Sequence, residues 1–123
     1  MTQALAITYA IAAALPLAMQ LGLTLGAPWG RLTLGGRWPG VLPLAVRLLA
    51  GLAALLLIWL ITVVLDHAGL IAAGYPDWMI WPALALTILT TIANLATPSR
   101  PERMFWGPVT VIMSASLGLL LVL

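Results

Sequence analysis

The residues able to do acid–base chemistry are few and lie near the ends of apolar segments. The chain holds one histidine and three carboxylates, and of these only Asp66 and His67 stand side by side. An imidazole beside a carboxylate can exchange protons near neutral pH, so the pair is a candidate proton site. The alternative is a solvated helix end, because neither residue lies deep within an apolar segment. One histidine and scattered carboxylates do not supply the coordination shell of a metal, and we expect no metal.

Two uncharged polar side chains, Gln20 and Asn94, interrupt segments that are otherwise apolar. Each lies in the third of its predicted helix nearest the same membrane face, so we expect the two to share a depth and to reach each other. A hydrogen bond between them would hold two helices together. The alternative is a polar path for a substrate. In both cases we expect the two side chains to point inward.

Four arginines in the loops form the third candidate group: Arg31, Arg37, Arg100 and Arg103. With nearby glycine amides they can form a site for an anion or a lipid headgroup. The alternative is that they set the membrane orientation and attract anionic lipids. Glu102 follows Ser99 in the S-x-x-E pattern of a capping box, so we interpret it as a helix cap.

The rest of the sequence excludes several function classes. There is no cysteine, which excludes thiolate chemistry, and nothing resembles a nucleophile with its base or a pair of carboxylates. No charged residue falls at mid-membrane, which argues against a carrier driven by protons or sodium ions. The glycine-rich loop lacks the residues of a phosphate-binding P-loop, and no clustered basic face suits nucleic acid. We predict a protein that is not an enzyme and has no cofactor.

Composition places most of this chain in lipid. Of its 123 residues, 63% are hydrophobic and 7% are charged, and the mean hydropathy is +1.15. Soluble domains carry about 25% charged residues, so this surface is too apolar for water. We predict an all-α, integral membrane four-helix bundle in a single domain, with spans at about 4–25, 44–65, 78–96 and 105–123. Residues 1–3 carry no basic side chain, so we expect the first span to be retained and not cleaved as a signal peptide.

The longest polar interruption is the first loop, Gly26–Pro43. Residues 31–34 alternate between polar and apolar, and Gly35-Gly36 suits a two-residue turn, so we expect a short β-hairpin here, with a short ordered loop as the alternative. Two tryptophans in the same loop, Trp29 and Trp38, would anchor it at the helix ends or the lipid headgroups.

The positions of the charged residues and the tryptophans predict the orientation of the chain in the membrane. All five arginines lie in or beside the first loop and the predicted third loop, Ser99–Arg103, whereas the second loop, Asp66–Trp78, holds none. Basic loops stay on the cytoplasmic side, so we place these two loops inside and both termini outside. Tryptophans follow the same division, with Trp29, Trp38 and Trp106 at the inner interface and Trp59, Trp78 and Trp81 at the outer one. The use of arginine without lysine, among abundant alanine, leucine and glycine, indicates a high-GC bacterial genome.

Two segments carry a resemblance to known proteins. One contains Gly-Ala-Pro-Trp-Gly and Gly-Gly-Arg-Trp-Pro-Gly-Val-Leu-Pro, and the other reads Asn-Leu-Ala-Thr-Pro-Ser-Arg-Pro-Glu-Arg-Met-Phe-Trp-Gly-Pro-Val. Together they resemble uncharacterised small four-helix bacterial inner-membrane proteins. The resemblance implies a location in that membrane and no activity.

Two functions remain open at this point. The first is a non-enzymatic accessory or oligomeric component of the membrane, whose partners are the lipid bilayer and either a second copy or another membrane protein. The alternative is a small transporter or channel for a small solute or a lipid, with a polar path near Gln20 and Asn94.

Overall fold

Four helices account for most of the chain. The computed structural model describes residues 1–123 and contains α1 (Thr2–Thr24), α2 (Leu44–His67), α3 (Ile80–Ala96) and α4 (Arg100–Val122), with no β-strand. All four are long and apolar enough to cross a membrane, α3 together with the short 3₁₀ turn Asp77–Met79 before it. The predicted all-α membrane bundle is confirmed. Helix α4 begins at Arg100, as the capping box at Ser99 predicts, and so starts before the membrane span predicted at 105–123.

Local sequence explains where the helices begin and how they tolerate proline. The Ser99 hydroxyl accepts a hydrogen bond from the Glu102 N–H at 3.4 Å, which caps the start of α4. Pro43 immediately precedes α2, where its fixed φ suits a helix start. Pro16 and Pro108 lie inside α1 and α4, and both helices continue through them. Membrane helices accept such prolines because neighbouring groups satisfy the freed backbone carbonyl.

The helices pack tightly at one end of the bundle. The second-loop cluster, named for the loop between α2 and α3, consists of twelve buried residues and draws on all four helices. Representative members are Tyr9 of α1, Val64 of α2, Ile80 of α3 and Leu117 of α4, none more than 2% exposed. This end of the bundle therefore has a continuous core.

The other end is packed differently because α3 is missing from its core. The first-loop cluster contains six buried residues from α1, α2, α4 and the first loop: Met19, Leu23, Leu42, Val46, Ala50 and Trp106. Helix α1 packs along both α2 and α4, whereas α3 packs mainly along α4. Helices α2 and α3 consequently meet at the second-loop end and leave a gap at the first-loop end.

Buried hydroxyl groups connect α3 to its neighbours. The Tyr9 hydroxyl lies 2.8 Å from Thr87 Oγ1, which joins α1 to α3. The Thr91 hydroxyl lies 2.9 Å from the carbonyl oxygen of Thr110 and 2.6 Å from Ser114 Oγ, which joins α3 to α4. Hydroxyl groups therefore supply the interhelical hydrogen bonds that we expected from the amides of Gln20 and Asn94.

The first loop does not form the predicted hairpin. Its centre consists of two 3₁₀ turns, Gly30–Leu32 and Leu34–Gly36, which meet at the extended residue Thr33. Leu34, Gly35 and Gly36 have φ values of 50°, 70° and 74°, and three successive left-handed residues curl the chain where a two-residue turn would reverse it. The hairpin prediction is wrong, and the alternative of a short ordered loop is what the structure shows.

Close backbone approach holds this loop in its curled shape. The Gly30 N–H donates to the Gly40 carbonyl at 3.0 Å, and a Cβ atom on Gly30 would overlap the carbonyl oxygen of Trp38. Leu34 adopts a left-handed conformation that costs a non-glycine residue about 1–2 kcal/mol. Such strain persists only where surrounding contacts impose the conformation, and it is concentrated at functional sites.

We predict that Thr91→Val weakens the packing of α3 on α4. The substitution keeps the shape of the side chain and removes the hydroxyl group, so the unfolding free energy should fall by about 0.6 kcal/mol and by at most roughly 1.7 kcal/mol. Unfolding in mixed micelles measures this. Thr90→Val is the matched control, because the Thr90 hydroxyl bonds only to the Leu86 carbonyl of its own helix. Equal losses in the two variants would contradict the interhelical role.

Candidate functional site

A buried carboxylate joins the first loop to the third loop (residues 97–99). Oε2 of Glu102 accepts a hydrogen bond from the Gly35 N–H at 2.8 Å and another from the Thr97 hydroxyl at 3.1 Å. Glu102 itself is only 9% exposed. In addition, the Ser99 hydroxyl donates to the carbonyl oxygen of Arg31 at 3.2 Å. The two loops therefore lie at the same end of the bundle and form one layer.

The interpretation of Glu102 as a helix cap is only half right. Ser99 caps the helix, but the Glu102 carboxylate does not return to the Ser99 N–H, which bonds to Thr97 Oγ1 at 3.3 Å. The carboxylate turns inward and holds the first loop. The S-x-x-E pattern contains no signal for this role, because the partner amide lies 67 residues earlier in the chain.

Beneath this layer lies a cavity of about 490 Å³, which we call the α2–α3 cavity. Helices α2 and α3 form its sides with residues such as Leu56, Leu57 and Leu86, and α1 and α4 form its back wall. Residues 32–35 of the first loop and Thr97-Pro98 of the third cover its end. It occupies the gap left where α2 and α3 do not meet.

Both predicted polar residues, Gln20 and Asn94, line this cavity. The hydrogen bond expected between them is not formed, because the Asn94 amide nitrogen donates instead to the Thr90 carbonyl of its own helix at 2.8 Å. The structure thus brings the two side chains into one space without joining them. That arrangement leaves the Asn94 side-chain oxygen available within the cavity.

Trp106 lies inside the bundle, contrary to the prediction that it marks the inner interface. Its side chain is 5% exposed and lines the cavity, and its Nε1–H is buried with no hydrogen-bond partner. Leaving such a donor unpaired costs about 1–3 kcal/mol, so native proteins rarely do so without a reason. Sequence reasoning missed this residue because a tryptophan near a helix end is equally typical of an aromatic belt.

The four candidate arginines are exposed and stand outside the cavity: Arg31, Arg37, Arg100 and Arg103. Arg103 donates to the Thr97 carbonyl at 2.9 Å, and the Arg37 guanidinium lies 4.9 Å from the centre of the Trp38 ring. The fifth arginine, Arg47, donates to the Thr24 carbonyl at the end of α1. These arginines therefore lie around the loop layer and do not converge on one site. Arg37, Arg47 and Arg103 each interact with a different neighbouring group.

The second loop is organised by Asp66. Its carboxylate accepts hydrogen bonds from three successive backbone amides, those of Ala73, Gly74 and Tyr75, at 2.8–3.2 Å. His67 is exposed beside it, and a small cavity of about 70 Å³ adjoins both residues. The carboxylate thus has a clear structural task, which is to fold the loop back onto the end of α2. No group of three or more metal-ligating side chains is brought together here or elsewhere.

Comparison with family models, curated proteins and solved structures gave no match to this chain. Function is therefore inferred from the geometry of the α2–α3 cavity and its covering loops.

We predict that Glu102→Ala loosens the loop layer, whereas Glu102→Gln preserves it. Both observed bonds reach one oxygen, so a glutamine amide oxygen can accept both, and alanine can accept neither. Each hydrogen bond to a charged group contributes about 1.5–3 kcal/mol, so the opened loop should be populated at least roughly tenfold more in the alanine variant.

Limited proteolysis with trypsin measures this opening, because Arg31 and Arg37 are exposed in the first loop. The cleavage rate should rise in the alanine variant and stay near the original value in the glutamine variant. Equal rates in all three proteins would show that Glu102 does not hold the loop.

Proposed function

We propose that this chain is a non-enzymatic multipass membrane protein that binds one small amphiphilic molecule in the α2–α3 cavity. The observation that carries the proposal is the cavity itself, which has a volume of about 490 Å³, mostly apolar walls and the polar side chains of Gln20, Asn94 and Glu102 in its lining. Cavities of about 300–1,000 Å³ with mostly apolar walls and a few polar groups are typical of small-molecule sites.

The position of the cavity suits a ligand that arrives from the bilayer. Leu56 of α2 and Ala93 of α3 line the cavity and are also exposed, so the space opens on the flank of the bundle between these helices. A molecule already dissolved in lipid can enter there without crossing the loop layer. The apolar walls would receive its hydrocarbon part, and the polar groups at the loop end would receive its head.

The chemistry of the lining favours binding over catalysis. Glu102 is the sole ionisable side chain in the lining, and its carboxylate already accepts two hydrogen bonds. General acid–base catalysis of a group transfer ordinarily needs a second group, either a nucleophile or a partner acid, within reach. The proposal is therefore a binding component of the membrane, acting alone, as an oligomer or as an accessory subunit.

Transport of the bound molecule is the second candidate. Gln20 and Asn94 both line the cavity, as a polar path near them requires. The second-loop cluster closes the opposite half of the bundle, so the cavity is covered at both ends and open on the flank between α2 and α3. A transporter would have to open that cluster, and the sparse contact between α2 and α3 makes their separation the least costly movement.

In the proposed orientation, the loop layer lies on the cytoplasmic side of a bacterial inner membrane, and both termini lie on the opposite side. Hydrogen bonds join the first and third loops, which supports placing them on one side of the membrane. All five arginines lie at that end. At the other end, Trp78 and Trp81 are 60% and 58% exposed, as an aromatic belt requires.

We predict that Ala93→Phe displaces the bound molecule. The added ring enters the cavity from α3, so native mass spectrometry of protein extracted with its own lipids should show a loss of the adduct carried by the unaltered chain. Ala85→Phe is the matched control, because Ala85 is exposed on the same helix and does not line the cavity. The proposal fails if the unaltered chain carries no adduct or if Ala93→Phe retains it.

We predict that an impermeant maleimide applied to intact cells labels Leu70→Cys and not Gly40→Cys. The chain has no cysteine of its own, and both positions are exposed, Leu70 in the second loop and Gly40 in the first. A Cβ atom on Gly40 meets nothing within 4 Å, so the substitution is tolerated. Lysed cells serve as the control, in which both variants should react. The reverse pattern in intact cells would invert the proposed orientation.

A further inference from the structure

We propose that the α2–α3 cavity selects a hydrophobic cation, an apolar body with a positively charged head, and that Glu102 supplies the opposing charge. This inference rests on the proposed binding function and adds the charge of the ligand. Glu102 is the one charged side chain that lines the cavity, and the others lie outside it.

The lining of the cavity contains one acidic side chain and no basic one. Glu102 lines it, whereas Asp66, Asp77, His67 and all five arginines do not. Both hydrogen-bond donors to Glu102 are neutral, a backbone amide and a hydroxyl group. A buried carboxylate without a cation is costly, and a bound cation would reduce that cost.

The carboxylate retains capacity for a ligand. Both observed bonds reach Oε2, and neither involves Oε1. The two donors fix the direction of the carboxylate and leave its second oxygen free to pair with a cationic head. Since a carboxylate can accept several hydrogen bonds, the ligand need not displace the first loop.

The arginine next to Glu102 in the chain does not form an ion pair with this carboxylate. Arg103 follows Glu102 in the chain, but its guanidinium donates to the Thr97 carbonyl and its side chain is exposed. Exposed charges interact weakly because water and salt screen them. An anionic amphiphile would meet the arginines at the surface and the Glu102 carboxylate inside, so we expect it to stay at the surface.

The other polar groups suit the same ligand. The Trp106 side chain lines the cavity, and an aromatic ring attracts a cation where water is excluded. The Asn94 amide nitrogen is held by the Thr90 carbonyl, so its oxygen can accept from a protonated amine.

Two compounds of nearly the same shape, neither with a hydrogen-bond donor or acceptor, separate charge from size: methyltriphenylphosphonium, which is a cation, and methyltriphenylsilane, which is neutral. Binding of each to the full chain in nanodiscs of zwitterionic lipid is measured by equilibrium dialysis, with empty nanodiscs subtracted. We expect the cation to bind at least about tenfold more tightly than the neutral compound, a difference of about 1.4 kcal/mol. Ala93→Phe should abolish binding of both.

Glu102→Gln tests the source of this preference. The glutamine retains an oxygen for Gly35 and Thr97 and loses the charge, so the affinity for the cation should fall about tenfold while that for the neutral compound is unchanged. Asp77→Asn is the control, because Asp77 is an exposed carboxylate outside the cavity. It should leave both affinities unaltered.

The outcomes separate this inference from the proposed function. Binding of both compounds with equal affinity to the unaltered chain, sensitive to Ala93→Phe, would overturn the charge preference and keep the cavity as a binding site. A preference for the cation that survives Glu102→Gln would overturn the role of Glu102. Absence of binding by either compound, or binding insensitive to Ala93→Phe, would overturn both proposals.

Discussion

The hydrogen bonds of the Glu102 carboxylate hold the loops together at the end of the bundle where α3 is absent from the buried core. At the second-loop end all four helices share a core, but at the first-loop end α3 contributes nothing to the buried cluster. There the Glu102 carboxylate connects the first loop, through Gly35, to the third loop, through Thr97. Without that connection, only the hydrogen bond from Ser99 to the Arg31 carbonyl would join the two loops, and the helix pairs would meet at this end through α1 and α4. The loop layer covers the cavity because this carboxylate holds it there.

The unfilled cavity lowers the stability of the bundle. Side chains that line an unfilled space lack contacts on one side and lose part of their dispersion energy. The unpaired Trp106 N–H adds a further cost, and so does the left-handed Leu34 at the rim. The second-loop cluster and the buried hydroxyl pairs Tyr9–Thr87 and Thr91–Ser114 offset these costs elsewhere. An occupied cavity would recover the lost contacts, so ligand binding and stability should rise together.

The features that sequence reasoning predicted well are those set by local composition. Apolar runs of about 20 residues define the helices whatever their neighbours are, and Ser99 caps α4 as its pattern indicates. The hairpin prediction failed because Gly35-Gly36 suits a strand reversal and a curled loop equally well. The choice is made by Glu102, Thr97 and Ser99, which follow more than 60 residues later. Likewise, a tryptophan near a helix end can face lipid or the core, and packing alone places Trp106 inside.

The sequence separation between Gly35 and Glu102 has a consequence for biogenesis. The first two helices and their loop leave the ribosome well before Glu102 is made, 67 positions after Gly35. The amide that receives the carboxylate therefore already stands at the membrane surface when the last helix is inserted. Until then the first loop has no partner to impose its left-handed residues. Insertion of α4 thus brings in the carboxylate that holds this loop, and until then the loop lacks the partner that keeps it over the cavity.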